Sequence, residues 1–95
     1  SHRAIEDMIF SAQPDLIKKR VGKDLALCSP AGTELHVLNE TAAKVFQLCD
    51  GSHTPKDMAE VLVESFNSVE YDRAYEDVKK LLIVLEEKNV IVPQK

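Results

Sequence analysis

Three histidines (His2, His36, His53), two cysteines (Cys28, Cys49) and sixteen carboxylates are the groups in this chain that could bind a metal, attack a carbonyl or move a proton. Their spacing argues against each of these. No two histidines stand at a metal-binding interval such as H-x-x-x-H, and there is no Cys-x-x-Cys pair. His36 lies in an alternating apolar run, on its polar side, where it reads as a solvated or interface residue rather than a ligand. A nucleophilic thiol needs a depressed pKa in an electropositive setting, and neither cysteine has a base beside it in the sequence. Both read as reduced, buried, small hydrophobes. Asp50 stands before Gly51 and reads as part of a helix-ending turn. Three glycines are too few for a phosphate-cradling loop. No metal, no cofactor and no catalytic activity are therefore expected.

Composition narrows the remaining classes. Ninety-five residues, 44% hydrophobic and 29% charged, make one globular domain with room for a core but not for a separate catalytic unit. A net charge of −4 disfavours nucleic acid, since phosphate contacts need clustered Lys and Arg. No apolar run approaches the roughly 20 residues a bilayer requires, and no secretory signal pattern is present. The expectation is a cytoplasmic protein without a membrane partner.

The elements that would position any site follow from periodicity. Residues 1–13 form an N-terminal arm in which Ile5, Met8 and Ile9 fit a short amphipathic helix. Such an arm leaves room for a homodimer. A domain of residues 14–95 follows. Leu16–Val21, Asp24–Cys28 and Glu34–Val37 read as three short strands, separated by Gly22-Lys23 and by Ser29-Pro30-Ala31-Gly32. In the third, Leu35 and Val37 point one way, Glu34 and His36 the other.

The second half is helical. Asn39 is placed to cap a helix carrying Ala42, Val45, Phe46 and Cys49 at helical spacing, with Gly51 as its left-handed stop. Thr54-Pro55-Lys56-Asp57 is a capping box with proline at the first turn; Met58, Val61, Leu62 and Phe66 form the stripe behind it. A third helix starts near Asp72, buries Tyr75, Val78, Leu81, Leu82 and Leu85, and ends at Asn89. Val90-Ile91-Val92 closes the chain as a brief extended segment. The fold class is α+β: a three-stranded antiparallel sheet followed by three helices, in a winged helix-turn-helix-like arrangement.

Leu81-Leu82-Ile83-Val84-Leu85 is apolar without a break, more than one core stripe needs. Either this helix is covered on several sides, or one flank lines a groove for a partner.

The ordered set Val37-Leu38-Asn39, Ala42-Ala43, Val45-Phe46, Leu48-Cys49-Asp50-Gly51, Thr54, Met58, Leu62, Phe66, Asp77-Val78, Leu81, Leu85 and Val90-Ile91 resembles the PqqD-like family over roughly residues 16–92. The resemblance implies a precursor-peptide recognition element, which binds the leader of a ribosomally made peptide and presents it to a modifying enzyme such as a radical SAM protein, doing no chemistry itself. It implies that the leader adds as a strand to the edge Glu34, Leu35, His36, Val37, Leu38 and packs on the third helix. The flank taken for the groove is Lys79, Leu82, Ile83 and Glu86, with Lys80, Val84 and Glu87 as the competing set. A winged-helix DNA-binding domain is the alternative. Lys18-Lys19-Arg20 favours it; the carboxylates Asp72, Glu76, Asp77, Glu86 and Glu87 on the third helix oppose it.

Overall fold

The chain was analysed as a computed structural model that describes residues 4–29, 34–67 and 69–94. Among the described residues, five strands and three α-helices follow a 3-10 turn at Ile5–Asp7: β1 (Phe10–Ala12), β2 (Ile17–Val21), β3 (Asp24–Cys28), β4 (Leu35–Leu38), α1 (Glu40–Gln47), α2 (Pro55–Ser65), α3 (Tyr71–Glu87) and β5 (Ile91–Pro93). Strands β2, β3 and β4 form the expected antiparallel sheet in that order. The turn expected at Ser29-Pro30-Ala31-Gly32 lies, apart from Ser29, outside the described residues.

Two rules of strand geometry set the sheet. Gly22 takes a left-handed φ of +62° in the two-residue link from β2 to β3, a conformation glycine adopts without steric cost. Alternation then does the rest. Leu25 and Leu27 of β3 are buried, and the register places Leu38 and His36 of β4 directly opposite them. Those four side chains share the inner face. Leu35 and Val37 lie opposite Cys28 and Ala26 on the outer face. His36 is therefore not on a solvated side: its ring is only 11% exposed, and Leu35 and Val37 are the exposed residues of the strand.

The helices start as their caps dictate. The Asn39 side chain accepts a hydrogen bond from the Ala42 N–H (2.9 Å). Thr54 and Asp57 close a reciprocal capping box, with Pro55 at the first position of α2. Asn39→Ala or Thr54→Ala would each forfeit a contribution of about 1 kcal/mol. Helix α3 begins at Tyr71, and the chain turns after it at Asn89, whose φ is +60°. Ala42, Ala43, Val45, Phe46, Met58, Leu62, Val78, Leu82 and Leu85 form the core between helices and sheet. No described helix is long and apolar enough to cross a membrane.

The N-terminal segment is built into the domain. Its helix-like spacing yields only the 3-10 turn; Phe10–Ala12 instead pairs antiparallel with β5 and takes a bridge to Asp50. Phe10 is fully buried. The Gly51 N–H donates to the Phe10 carbonyl (2.9 Å), and the Ala12 N–H donates to the Cys49 carbonyl (2.9 Å). This seam explains Gly51 better than helix termination does. Helix α1 ends earlier, at the Leu48 cap, whereas a Cβ on Gly51 would stand 2.7 Å from the Gln94 side chain and 3.1 Å from Ser11. Its φ of +84° adds a second reason for glycine.

Beside it, Asp50 Oδ1 accepts from the Ser52 N–H (3.0 Å) and hydroxyl (2.7 Å) and lies 2.9 Å from His53 Nδ1. The Ser52 hydrogen bond, then the His53 contact, pull the Asp50 carboxyl from its ordinary 3.8 down to about 2.

Two outcomes are expected. Phe10→Ala removes a fully buried ring and should cost about 3–5 kcal/mol of unfolding free energy, read from denaturant midpoints. The depressed Asp50 pKa contributes stability that is present above about pH 4 and lost as pH falls toward 2. Asp50→Asn should flatten the acid limb of a stability–pH curve in that window, and an unchanged limb would contradict the assignment.

Candidate functional site

Strand β4 is an edge of the three-stranded sheet. The Ser29 N–H donates to the Glu34 carbonyl (3.2 Å), so Ser29 and Glu34 form a hydrogen-bonded pair. Such pairs alternate along an antiparallel ladder. In the observed register, His36 and Leu38 spend their peptide groups on Leu27 and Leu25. The N–H and C=O groups of Leu35 and Val37 point away from β3, toward the open edge.

Facing that edge is a groove of about 370 Å³. One wall is β4 itself, Leu35 to Leu38. Asn39 and Ala42, at the start of α1, close one part of it. The other wall is a single flank of α3: Leu81, Val84, Leu85 and Lys88. These recur at i, i+3, i+4, i+7, the spacing of one helix face. Leu85 belongs equally to the core; Val84 is 41% exposed with no described partner side chain over it. The apolar run 81–85 thus serves two surfaces, with Leu82 and Leu85 inward and Leu81 and Val84 toward the groove.

The strand residues singled out from the sequence, Glu34, Leu35, His36, Val37 and Leu38, come together here; the last four line the groove and Glu34 stands just before them. Its carboxylate lies 3.8 Å from His36 Nε2. The helix residues do not join them. Leu82 is fully buried in the core. Lys79 and Glu86, seven residues apart, share the opposite flank. There the Lys79 ammonium hydrogen-bonds Glu76 (2.9 Å) and sits 4.3 Å from the centre of the Tyr75 ring. The Glu76 hydrogen bond raises the Lys79 pKa. Ile83 faces solvent between the two flanks. Of the competing set Lys80, Val84 and Glu87, only Val84 lines the groove.

Leu81, Leu85, Lys88, Asn39 and Ala42 were absent from the sequence-based site. The helical spacing 81, 84, 85, 88 was present in the sequence, but the other flank shows the same spacing, and only the position of the sheet chooses between them.

Catalytic groups are not gathered here. Burial, and secondarily the charge of Asp50, push the Cys49 thiol up to about 12, so it is held as an inert thiol. Cys28 is partly buried on the sheet. No cluster of three potential metal ligands occurs among the described residues.

Known proteins share this architecture. A lasso peptide synthetase B1, solved in complex with a leader peptide, superposes with a TM-score of 0.75 at 27% identity, over 88% of this chain and 98% of that one. TbiB1, solved with the TbiA(beta) leader peptide, gives 0.73 at 12% identity, over 85% and 93%. The heterocyclase TruD gives 0.63 at 17% identity; 92% of this chain is covered, but only 12% of TruD. No curated protein sequence matches. The profile of Coenzyme PQQ synthesis protein D (PqqD) matches residues 24–91, from the start of β3 through all three helices to β5, and the chain therefore belongs to the PqqD family.

Proposed function

We propose that this protein binds the leader of a ribosomally synthesised precursor peptide and presents it to a separate modifying enzyme, itself doing no chemistry. The observation that carries this is the open edge of β4 standing across an apolar groove from α3. An extended peptide laid along β4 would exchange hydrogen bonds with the peptide groups of Leu35 and Val37, which gives affinity with little dependence on sequence. Its residues opposite His36 and Leu38 would turn their side chains the same way as those two, into the groove. The residues between them would continue the outer sheet face beside Leu35 and Val37.

Relatives support the reading. Two structures with nearly the whole of this fold hold leader peptides, one of them at 27% identity. In TruD the same fold occupies a small part of a heterocyclase, as expected if such a domain works beside a catalytic unit. A radical SAM enzyme is the partner that membership of the PqqD family suggests; the groove itself is indifferent to which enzyme receives the peptide.

The test is an NMR and anisotropy titration with the leader of a candidate ribosomally synthesised precursor peptide. Amide shifts should centre on Leu35, Val37 and the 81–88 flank. Val84→Asp puts a charge into the groove wall and should weaken binding about tenfold or more, roughly 1.4 kcal/mol. Ile83→Asp, one residue away on the solvent side, should leave it within twofold or so. Equal loss in both variants, or in neither, would overturn the placement of the peptide.

A further inference from the structure

The groove carries one charge whose partner is missing. Lys88 caps the C-terminal end of α3, where a cation is favoured by the helix dipole, and its side chain lines the groove. Two other cations of this helix have a carboxylate one turn away, Arg73 with Asp77 (3.9 Å) and Lys79 with Glu76 (2.9 Å); Lys80 has none among the described residues, but it does not line the groove. Lys88 has no carboxylate within ion-pair distance among the described residues. Its neighbours three and four positions back are Leu85 and Val84, the groove wall, so helix spacing supplies an aliphatic bed and no counter-ion. Glu86 lies on the opposite flank, and Glu34, whose carboxylate is 3.8 Å from His36 Nε2, is not among the residues that line the groove.

Resting on the peptide-binding reading above, we infer that the groove selects a class of peptide by charge: an extended segment with two apolar side chains two residues apart, opposite His36 and Leu38, and a carboxylate side chain placed to meet Lys88. The apolar pair follows from the alternation of the added strand. The carboxylate follows from the sign of Lys88, the cation that lines the groove without a carboxylate partner among the described residues. A peptide carboxylate there would meet an ammonium whose stem lies beside Val84 and Leu85, a pair of ordinary surface strength added to the apolar contacts. Once bound, a Lys or Arg at the same position would face like charge, which gives the site discrimination as well as affinity.

The probe is a displayed library of random dodecapeptides, selected in parallel on the intact chain, on Val84→Asp, on Lys88→Glu and on Lys88→Gln. Lys88 is exposed at a helix end, and circular dichroism is expected to show all Lys88 variants folded. Peptides captured by the native chain and not by Val84→Asp should share an apolar pair and an Asp or Glu at fixed spacing from it. Lys88→Gln should erase the acidic preference, and Lys88→Glu should replace it with Lys or Arg. For one selected peptide, Lys88→Glu should weaken binding about fivefold, and exchanging the peptide's acid for Lys should restore it. Groove-dependent peptides with the same consensus on all Lys88 forms would overturn the inference and leave the peptide-binding reading standing. No peptide sensitive to Val84→Asp would overturn both.

Discussion

Burial of Leu25 and Leu27 fixes the phase of the sheet, and the groove depends on that phase. Side chains along a strand alternate with a period of two, so a slip of one residue would reverse every face. With Leu25 and Leu27 inward, the register brings Leu38 and His36 inward and turns Leu35 and Val37 outward. The same phase decides where the backbone groups point. Residues 25 and 27 of β3 bond to β4, and 24, 26 and 28 remain for β2. On β4 this leaves the peptide groups of Leu35 and Val37 on the free edge. One hydrophobic choice on the middle strand thus sets both the side chains that line the groove and the hydrogen-bonding groups that border it.

Helix α3 meets this constraint from the other side. A helix needs about three apolar residues per two turns to hold it to a core. Ala74, Val78, Leu82 and Leu85 supply that stripe. Leu81 and Val84 exceed it, and they line the groove beside β4 while the stripe itself faces α2, α1 and β5. Had β4 lain on the other side of α3, the groove would have been walled by Lys79, Ile83 and Glu86, a far more polar surface. The aliphatic character of the observed wall is therefore a joint product of the helix sequence and the sheet's position.

Much of the fold was legible residue by residue, and the illegible parts share a cause. Asn39, the Thr54–Asp57 box and Asn89 act on their own backbone within three or four residues, so their roles could be read directly. The β2–β3 hairpin was equally local. Gly51 was read as a helix stop because that is glycine's commonest local role; its actual neighbours, Ser11 and Gln94, are 40 and 43 residues away along the chain. Phe10 likewise joins the core through β5, at the far end of the chain. His36 was read by polarity as a solvated or interface residue; the pairing of β4 with Leu27 turns it inward, where it lines the groove. The groove flank of α3 failed for the same reason: spacing identifies faces of a helix, and only a distant strand says which face meets it.

The two edges of the sheet are treated differently, and the difference bears on function. An unpaired strand edge invites association with any extended chain, and proteins commonly blunt it with charge. On β2 the outward-pointing peptide groups belong to Lys18 and Arg20, whose side chains stand beside them. A second strand arriving there would have to displace or desolvate two cations. On β4 the corresponding residues are Leu35 and Val37, 66% and 62% exposed. Their own side chains carry no charge. Leaving this edge open carries an aggregation hazard that the chain avoids on the other side of the same sheet. Such an edge is tolerable when access to it is limited, and the α3 wall provides that limit: an incoming strand must be single and extended, and must fit apolar side chains past Val84. On the proposed reading, protection by shape in place of protection by charge leaves a site where the backbone would supply the affinity and the groove the choice.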